Sequence, residues 1–291
     1  MIDTHIHLLE PDRFTYEWTK GFPALTGRFD LSDYQKASAD TGIQAGVFME
    51  VDCEESADEA RYFCSLAEQP GCLIQAVVAA ARPESPDFER NLEAMAHPRL
   101  TGIRRVLHTQ PDELSQSSLF RENVSHLGAL GLSFDLCVLQ RQLPLALDLV
   151  RACPQTTFIL DHCGVPEISA NDAPAGAGFL AWKKSIRALA AEPNVNGKIS
   201  GITAYAPEPL RNAEGLRPYI DTMLEAFGPS RLVWGGDWPV VNLGDGLLAW
   251  SNITRELLSE LTPDERTLIL STNATKIKAH FKCFGFNEFG I

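Results

Sequence analysis

The strongest constraint on the fold of this chain is an alternation. Eight short, mostly apolar, β-rich runs recur at 2–8, 46–52, 72–81, 100–108, 132–138, 157–164, 195–201 and 232–238. Runs that are apolar on both faces are those of parallel strands covered on both sides. Helical patterns fill the gaps. Asp30 reads as an N-cap, EESADEARYFCSLAEQPG places acids in its first turn, and Pro70-Gly71 stops it. Eight strands alternating with helices predict an α/β fold, a (β/α)8 barrel rather than an open doubly wound sheet. The whole of 1–291 reads as one barrel domain with further helices after residue 240. No G-x-G-x-x-G follows the first run and no G-x-x-x-x-G-K-[ST] occurs, so the nucleotide-binding α/β folds lack their fingerprint.

Charge narrows the partners. Against 25 Lys and Arg stand 38 Asp and Glu, a formal net charge of -13. This excess argues against nucleic acid and anionic membrane surfaces, and leaves a small-molecule substrate as the expected partner. No apolar stretch approaches the roughly 20 residues needed to span a bilayer. The first residues carry Asp3, His5 and His7, which is unlike a signal peptide. The seven cysteines are odd in number and form no C-x-x-C pair, which reads as free thiols in a reducing, cytoplasmic setting.

The run MIDTHIHLL raises the chemical question. His5 and His7 alternate, so a strand places both imidazoles on one face. In a barrel that face is the interior, near the carboxyl end of the strand, where active sites lie. Asp3 shares their parity and is expected to orient them. His162 ends the sixth run in LDHCG, and Asp237 ends the eighth in WGGDWP. A buried charge is expensive unless it is paired or used. Structural roles stand beside the functional ones: Asp161 as a turn cap, and Asp237 as a partner of Arg104. Arg104 and His108 share parity and face inward, whereas Arg105 faces the helices. Lys198 reads either as a salt bridge to Asp135 or Asp161 or as a donor to substrate. The loops after the first, sixth and seventh runs (9–30, 165–177 and 202–216) are the long ones. Aromatic side chains at Tyr16, Trp18, Tyr205 and Trp238 are candidate walls of a pocket.

This ordered set resembles the amidohydrolase superfamily of metal-assisted hydrolases, over the whole chain. The branch it most resembles is that of sugar-lactone hydrolases such as L-fuconolactonase and L-rhamnonolactonase. The stretches that carry this likeness are GIRRVLHTQPDE (102–113), RQLPLALDLVRACPQTTFILDHCGVP (141–166), VNGKISG (195–201) and WGGDWPV (234–240). The resemblance implies hydrolysis of an aldonolactone, with Asp237 activating water. It implies Arg104, His108 and Lys198 as stabilisers of the oxyanion, and His162 or Asp237 as the donor to the leaving oxygen. Arg104, Trp18, Tyr205 and Trp238 would bind substrate. It further implies a divalent metal, zinc, on His5, His7, His162 and Asp237. One departure matters: the fifth run, LSFDLCV, offers no histidine. The expected metal is therefore a single ion, weakly held or dispensable. Two other readings stand alongside: a metal-dependent decarboxylase of an aromatic acid, and a non-catalytic ligand-binding barrel.

Overall fold

A computed structural model describes residues 1–277. Eight parallel strands lie in the order of the sequence. They are β1 (Ile2–Ile6), β2 (Ala45–Met49), β3 (Ile74–Ala80), β4 (Leu100–Val106), β5 (Ser133–Cys137), β6 (Phe158–Leu160), β7 (Val195–Ile199) and β8 (Leu232–Trp234). The helices are α1 (Leu31–Ser38), α2 (Ser56–Ala67), α3 (Phe88–Ala94), α4 (Ser118–Ala129), α5 (Leu143–Ala152), α6 (Ala177–Ala190), α7 (Ile202–Tyr205), α8 (Ala213–Phe227), α9 (Gly246–Leu257), α10 (Pro263–Thr267) and α11 (Asn273–Ile277). The architecture is a (β/α)8 barrel. The helices expected after residue 240 are α9 to α11; residues 278–291 lie outside the described residues, and so does the last part of the proposed domain.

Local rules set the helix starts. Asp30 caps α1 in a capping box, accepting from the Asp33 N–H while the Asp33 carboxylate takes the Asp30 N–H. Ser117 caps α4 and Asn212 caps α8. Leu143, Ala146, Leu149 and Val150 of α5 follow helical spacing and are buried.

The barrel interior has two chemically distinct levels. The lower one is apolar and holds Ile2, Val47, Met49, Ala76, Val78, Ile159 and Val233. The upper one is polar. Alternation along each strand carries Arg104, Asp135, Asp161 and Lys198 into it, all buried. Arg105, one residue on, faces out and binds the Glu84 carboxylate at 2.7 and 2.9 Å.

Closure occurs between β8 and β1. The Asp237 N–H donates to the His5 carbonyl (2.9 Å) and the His7 N–H to the Trp238 carbonyl (2.8 Å). The Thr4 hydroxyl donates to the Trp234 carbonyl at 2.7 Å. The expectation for Asp3 fails here for a definite reason. The β1–β2 register shifts between Asp3 and Ile6, so the strand's parity resets and Asp3 does not share the histidines' face. Its carboxylate accepts instead from the His5 N–H (2.9 Å), the Gly236 N–H (2.7 Å) and the Tyr34 hydroxyl (2.7 Å). Burial pushes this carboxyl up to about 6, against the pull of those three donors. Asp3 is a latch on the backbone of the site.

Asp3→Ala would strand three buried donors. The expected loss is about 3 kcal/mol or more of unfolding free energy, measured by urea denaturation. A loss below about 1 kcal/mol would show that water or repacking satisfies them.

Candidate active site

Three strand ends break into unusual backbone. Strand β6 stops at Leu160, short of the expected 164, and His162 and Cys163 adopt φ of 54° and 55°. Strand β8 stops at Trp234, and Asp237 has φ 57°. Asp52, just beyond β2, has φ 47°. Left-handed backbone is unfavourable for residues with a Cβ, by about 1–2 kcal/mol each. It persists where the surroundings hold it, and such strain clusters at functional sites. Here it turns three side chains back over the mouth of the barrel.

The histidines meet as expected. His5 Nε2 lies 3.2 Å from His7 Nε2. His7 Nδ1 lies 3.0 Å from the Met49 carbonyl, which fixes the proton on Nδ1 and leaves the Nε2 lone pair facing inward. His5 Nδ1 lies 3.2 Å from the Lys198 ammonium, and its Nε2 lies 3.3 Å from Arg104. Burial, then the charges of Lys198 and its neighbours, hold His5 well below the ordinary imidazole range. Burial likewise lowers His162, so both rings are neutral.

Asp237 Oδ1 lies 3.7 Å from His5 Nε2 and 3.5 Å from His7 Nε2. His162 Nδ1 lies 3.9 Å from Asp237 Oδ2 and 3.0 Å from the Ser200 hydroxyl. Asp237 Oδ2 is buried and has no hydrogen-bond partner among the described residues. The backbone is drawn tight around this group. A Cβ on Gly201 (φ +66°) would fall 2.4 Å from His162 Nδ1 and 3.0 Å from Asp237 Oδ2.

The donor set fits a metal. His5, His162 and Asp237 offer ligand atoms within 4.8 Å of one another. His7 is not part of that mutually close set, although its Nε2 lies 3.2 Å from His5 Nε2 and 3.5 Å from Asp237 Oδ1, close to the roughly 3.3 Å edge of a tetrahedron with zinc bonds near 2.0–2.1 Å. Both ring nitrogens of His5 also face cations, which opposes tight binding there.

Beneath this group runs a charged network. The Lys198 ammonium, 1% exposed, donates to Asp135 (2.9 Å) and Asp161 (2.6 Å). Burial pushes the Asp161 carboxyl up, but Lys198, His162 and Arg104 outweigh it and hold it below its usual range. The Arg104 guanidinium grips Glu50 through its carboxylate (2.5 Å) and its carbonyl (2.8 Å), and lies 3.6 Å from Asp161. Asp237 is therefore not the partner of Arg104, and the Asp161 carboxylate accepts from Lys198 rather than capping the following turn.

A cavity of about 360 Å³ opens above. His7, Arg104, His108, His162, Asp237 and Asp52 are among its polar lining, Cys137 adds a thiol, and Trp18, Phe22, Leu25 and Tyr205 are among its apolar walls. A larger groove, about 710 Å³, lies on the outer surface between α6 and α8, away from the strand ends. Lys198 and Trp238 do not line the 360 Å³ cavity. Trp238 is buried against Phe29 and Tyr34, because its position beyond β8 faces the helical layer. Tyr16 is also buried, and its hydroxyl accepts the Glu10 N–H. Glu50, Asp52 and Cys137 went unread in the sequence. The rule that found Asp237, an acid where an apolar strand ends, applies equally to FMEVD.

The Amidohydrolase family model matches residues 2–277. The chain belongs to the amidohydrolase family. It is 30% identical to an L-fucono-1,5-lactonase of Burkholderia ambifaria, over 94% of this chain and 93% of that one. It is 23% identical to an L-rhamnono-gamma-lactonase of Scheffersomyces stipitis, over 95% and 97%. An amidohydrolase of Burkholderia multivorans, solved with bound zinc, superposes with a TM-score of 0.85 at 25% identity, covering 96% of this chain and 98% of that one. No helix among the described residues is long and apolar enough to cross a membrane.

Glu59 of α2 lies behind the Arg104–Glu50 pair. It is buried, its Oε1 lacks a partner among the described residues, and burial followed by the charge of Glu50 pushes its carboxyl up to about 8. The folded state thus holds this proton more tightly than the unfolded chain, whose carboxyl titrates near its ordinary value of 4.5. Stability from this group is full below about 4.5 and falls as pH rises towards 8. Glu59→Gln removes that slope. In calorimetry, the variant's Tm should exceed wild type at pH 8 by a few degrees, and the gap should narrow towards pH 5. Parallel Tm curves would refute the assignment.

Proposed function

We propose that this chain hydrolyses a sugar lactone to the free sugar acid, with Asp237 activating the water. The observation that carries the reading is the buried, unpartnered Oδ2 of Asp237 at the floor of a cavity that also presents Arg104, His108 and His162. A water beside Oδ2 loses its proton to the carboxylate as it attacks the lactone carbonyl. Arg104 and His108 are the donors to the carbonyl oxygen as it becomes an oxyanion. The ring C–O bond then breaks, and Asp237 returns the proton to the leaving oxygen. His162, held by the Ser200 hydroxyl, lines the cavity beside Asp237. Trp18 and Tyr205 wall the sugar ring. Lys198 acts from below: its ammonium holds His5 and Asp161 in place and does not reach the cavity.

His5, His7, His162 and Asp237 are the residues that would hold a divalent ion, for which zinc is the choice their nitrogen-rich set favours. Such an ion supplies polarisation of the carbonyl and acidification of water. The partners of His5 argue for weak retention. Lys198 donates to its Nδ1, which leaves the proton on Nε2, the nitrogen nearest His7 and Asp237. Ligation there requires that proton to leave and places a dication next to Arg104. No histidine on β5 compensates.

Two measurements test this. Asp237→Asn should lower kcat on aldonolactones by about a hundredfold or more while the fold is kept, as judged by circular dichroism. Near wild-type turnover, or release of CO₂ from an aromatic acid by the wild-type chain, would overturn the assignment. Elemental analysis of protein purified without chelator should find at most one zinc per chain, with occupancy falling as pH drops through the imidazole range. Chelation should leave part of the lactonase activity; complete loss with full rescue by zinc would overturn weak retention.

A further inference from the structure

We propose that Cys137 is a positioning residue: its thiol donates to Nδ1 of His108 and so fixes the tautomer in which Nε2–H faces the cavity. This rests on the lactonase reading for its catalytic consequence, and on geometry for the pair itself. Cys137 is the last residue of β5, level with Val106 across the β4–β5 register. It is 2% exposed, and its Sγ lies 3.3 Å from His108 Nδ1. His108 sits in the turn beyond β4, and both residues line the cavity. Nδ1 is committed to sulfur, so Nε2 is the ring nitrogen left for a ligand.

The direction of the bond follows from the chemistry. Burial pushes the thiol up to about 12, so the sulfur keeps its proton. Burial, then Arg104 and His162, push the imidazole down to about 4, with Glu50 and Asp161 pulling the other way. Both groups are neutral at pH 7, and no thiolate–imidazolium pair forms. An imidazole nitrogen accepts better than a thiol sulfur. The arrangement S–H to Nδ1 therefore prevails, and Nε2–H remains as a neutral donor for a developing oxyanion. The reverse arrangement would turn a lone pair towards the carbonyl oxygen and repel it.

The test compares wild type, Cys137→Ser and Cys137→Ala. Long-range ¹H–¹⁵N correlation reads the His108 tautomer without any substrate. Wild type and the Ser variant should show Nε2–H alone, and the Ala variant should show His108 titrating at higher pH, because a donor to the neutral ring has been removed. In lactone assays the Ala variant should lose roughly tenfold in kcat with KM within about twofold, and Ser should restore most of it. A wild-type ring protonated on Nδ1, an Ala variant with unchanged kcat and His108 titration, or a Ser variant no better than Ala would each overturn the proposal. Failure of the lactonase reading itself shows separately, as no lactone hydrolysis by wild type, while the NMR result still decides the pair.

Discussion

Everything at the mouth of this barrel depends on one buried cation. The Lys198 ammonium is wedged between Asp135 and Asp161 and reaches His5 Nδ1. Removing an ammonium from water is expensive, and among the described residues the two carboxylates and the ring compensate it. That requirement ties β7 to β5, β6 and β1. Arg104 extends the tie from β4 to Glu50 beyond β2 and to Asp161. Six of the eight strands are thus pinned by charge at the level where the site begins. Deleting one partner would leave the others buried and unpaired, which costs more than the pair itself contributes.

The network also explains why the histidines are usable. A lone imidazole in such a place would rotate or take up a proton. Here Lys198 fills Nδ1 of His5, Met49 fills Nδ1 of His7 and Ser200 lies against Nδ1 of His162. The rings stay aimed, and burial keeps those of His5 and His162 neutral. The left-handed turns at Asp52, His162 and Asp237 complete the construction. An extended chain would carry these residues onward into the loops. The strained turn stops the strand and bends the side chain back, and the ladder between β1 and the end of β8 holds it there.

Much of this was legible in the sequence. Apolar runs alternating with helical ones gave the barrel, and period two placed His5, His7, Arg104 and His108 on the inside. Strand ends at His162 and Asp237 marked the site. What escaped is what period two cannot express. A register shift inside β1 moved Asp3 to the opposite face. Left-handed turns ended β6 and β8 before the apolar runs did, so the length of a run overstated the strand. Trp238 stands next to Asp237, yet the same turn sends it into the helical layer. The two readings of Lys198 were separable only by seeing that Asp135 and Asp161 both reach it. Glu50 and Asp52 carry the same signal as Asp237, an acid where an apolar run ends, and only the fold shows that they reach the site.

The formal charge around the site carries the argument one step further. Glu50, Asp135, Asp161 and Asp237 contribute four negative charges, and Arg104 and Lys198 return two positive ones. Within this ion-pair network carboxylates outnumber cations by two, and Asp52 and Asp3 stand beside it as further acids in a place of low dielectric. An excess of carboxylates beside a nitrogen-rich cluster is the electrostatic reason the place suits a metal cation. Yet the two resident cations lie against His5, so the deficit sits mainly on Asp237, whose Oδ2 has no protein partner among the described residues. The proposed base and the proposed ion therefore fall on the same residue, and the unpartnered Oδ2 is the feature that both readings use.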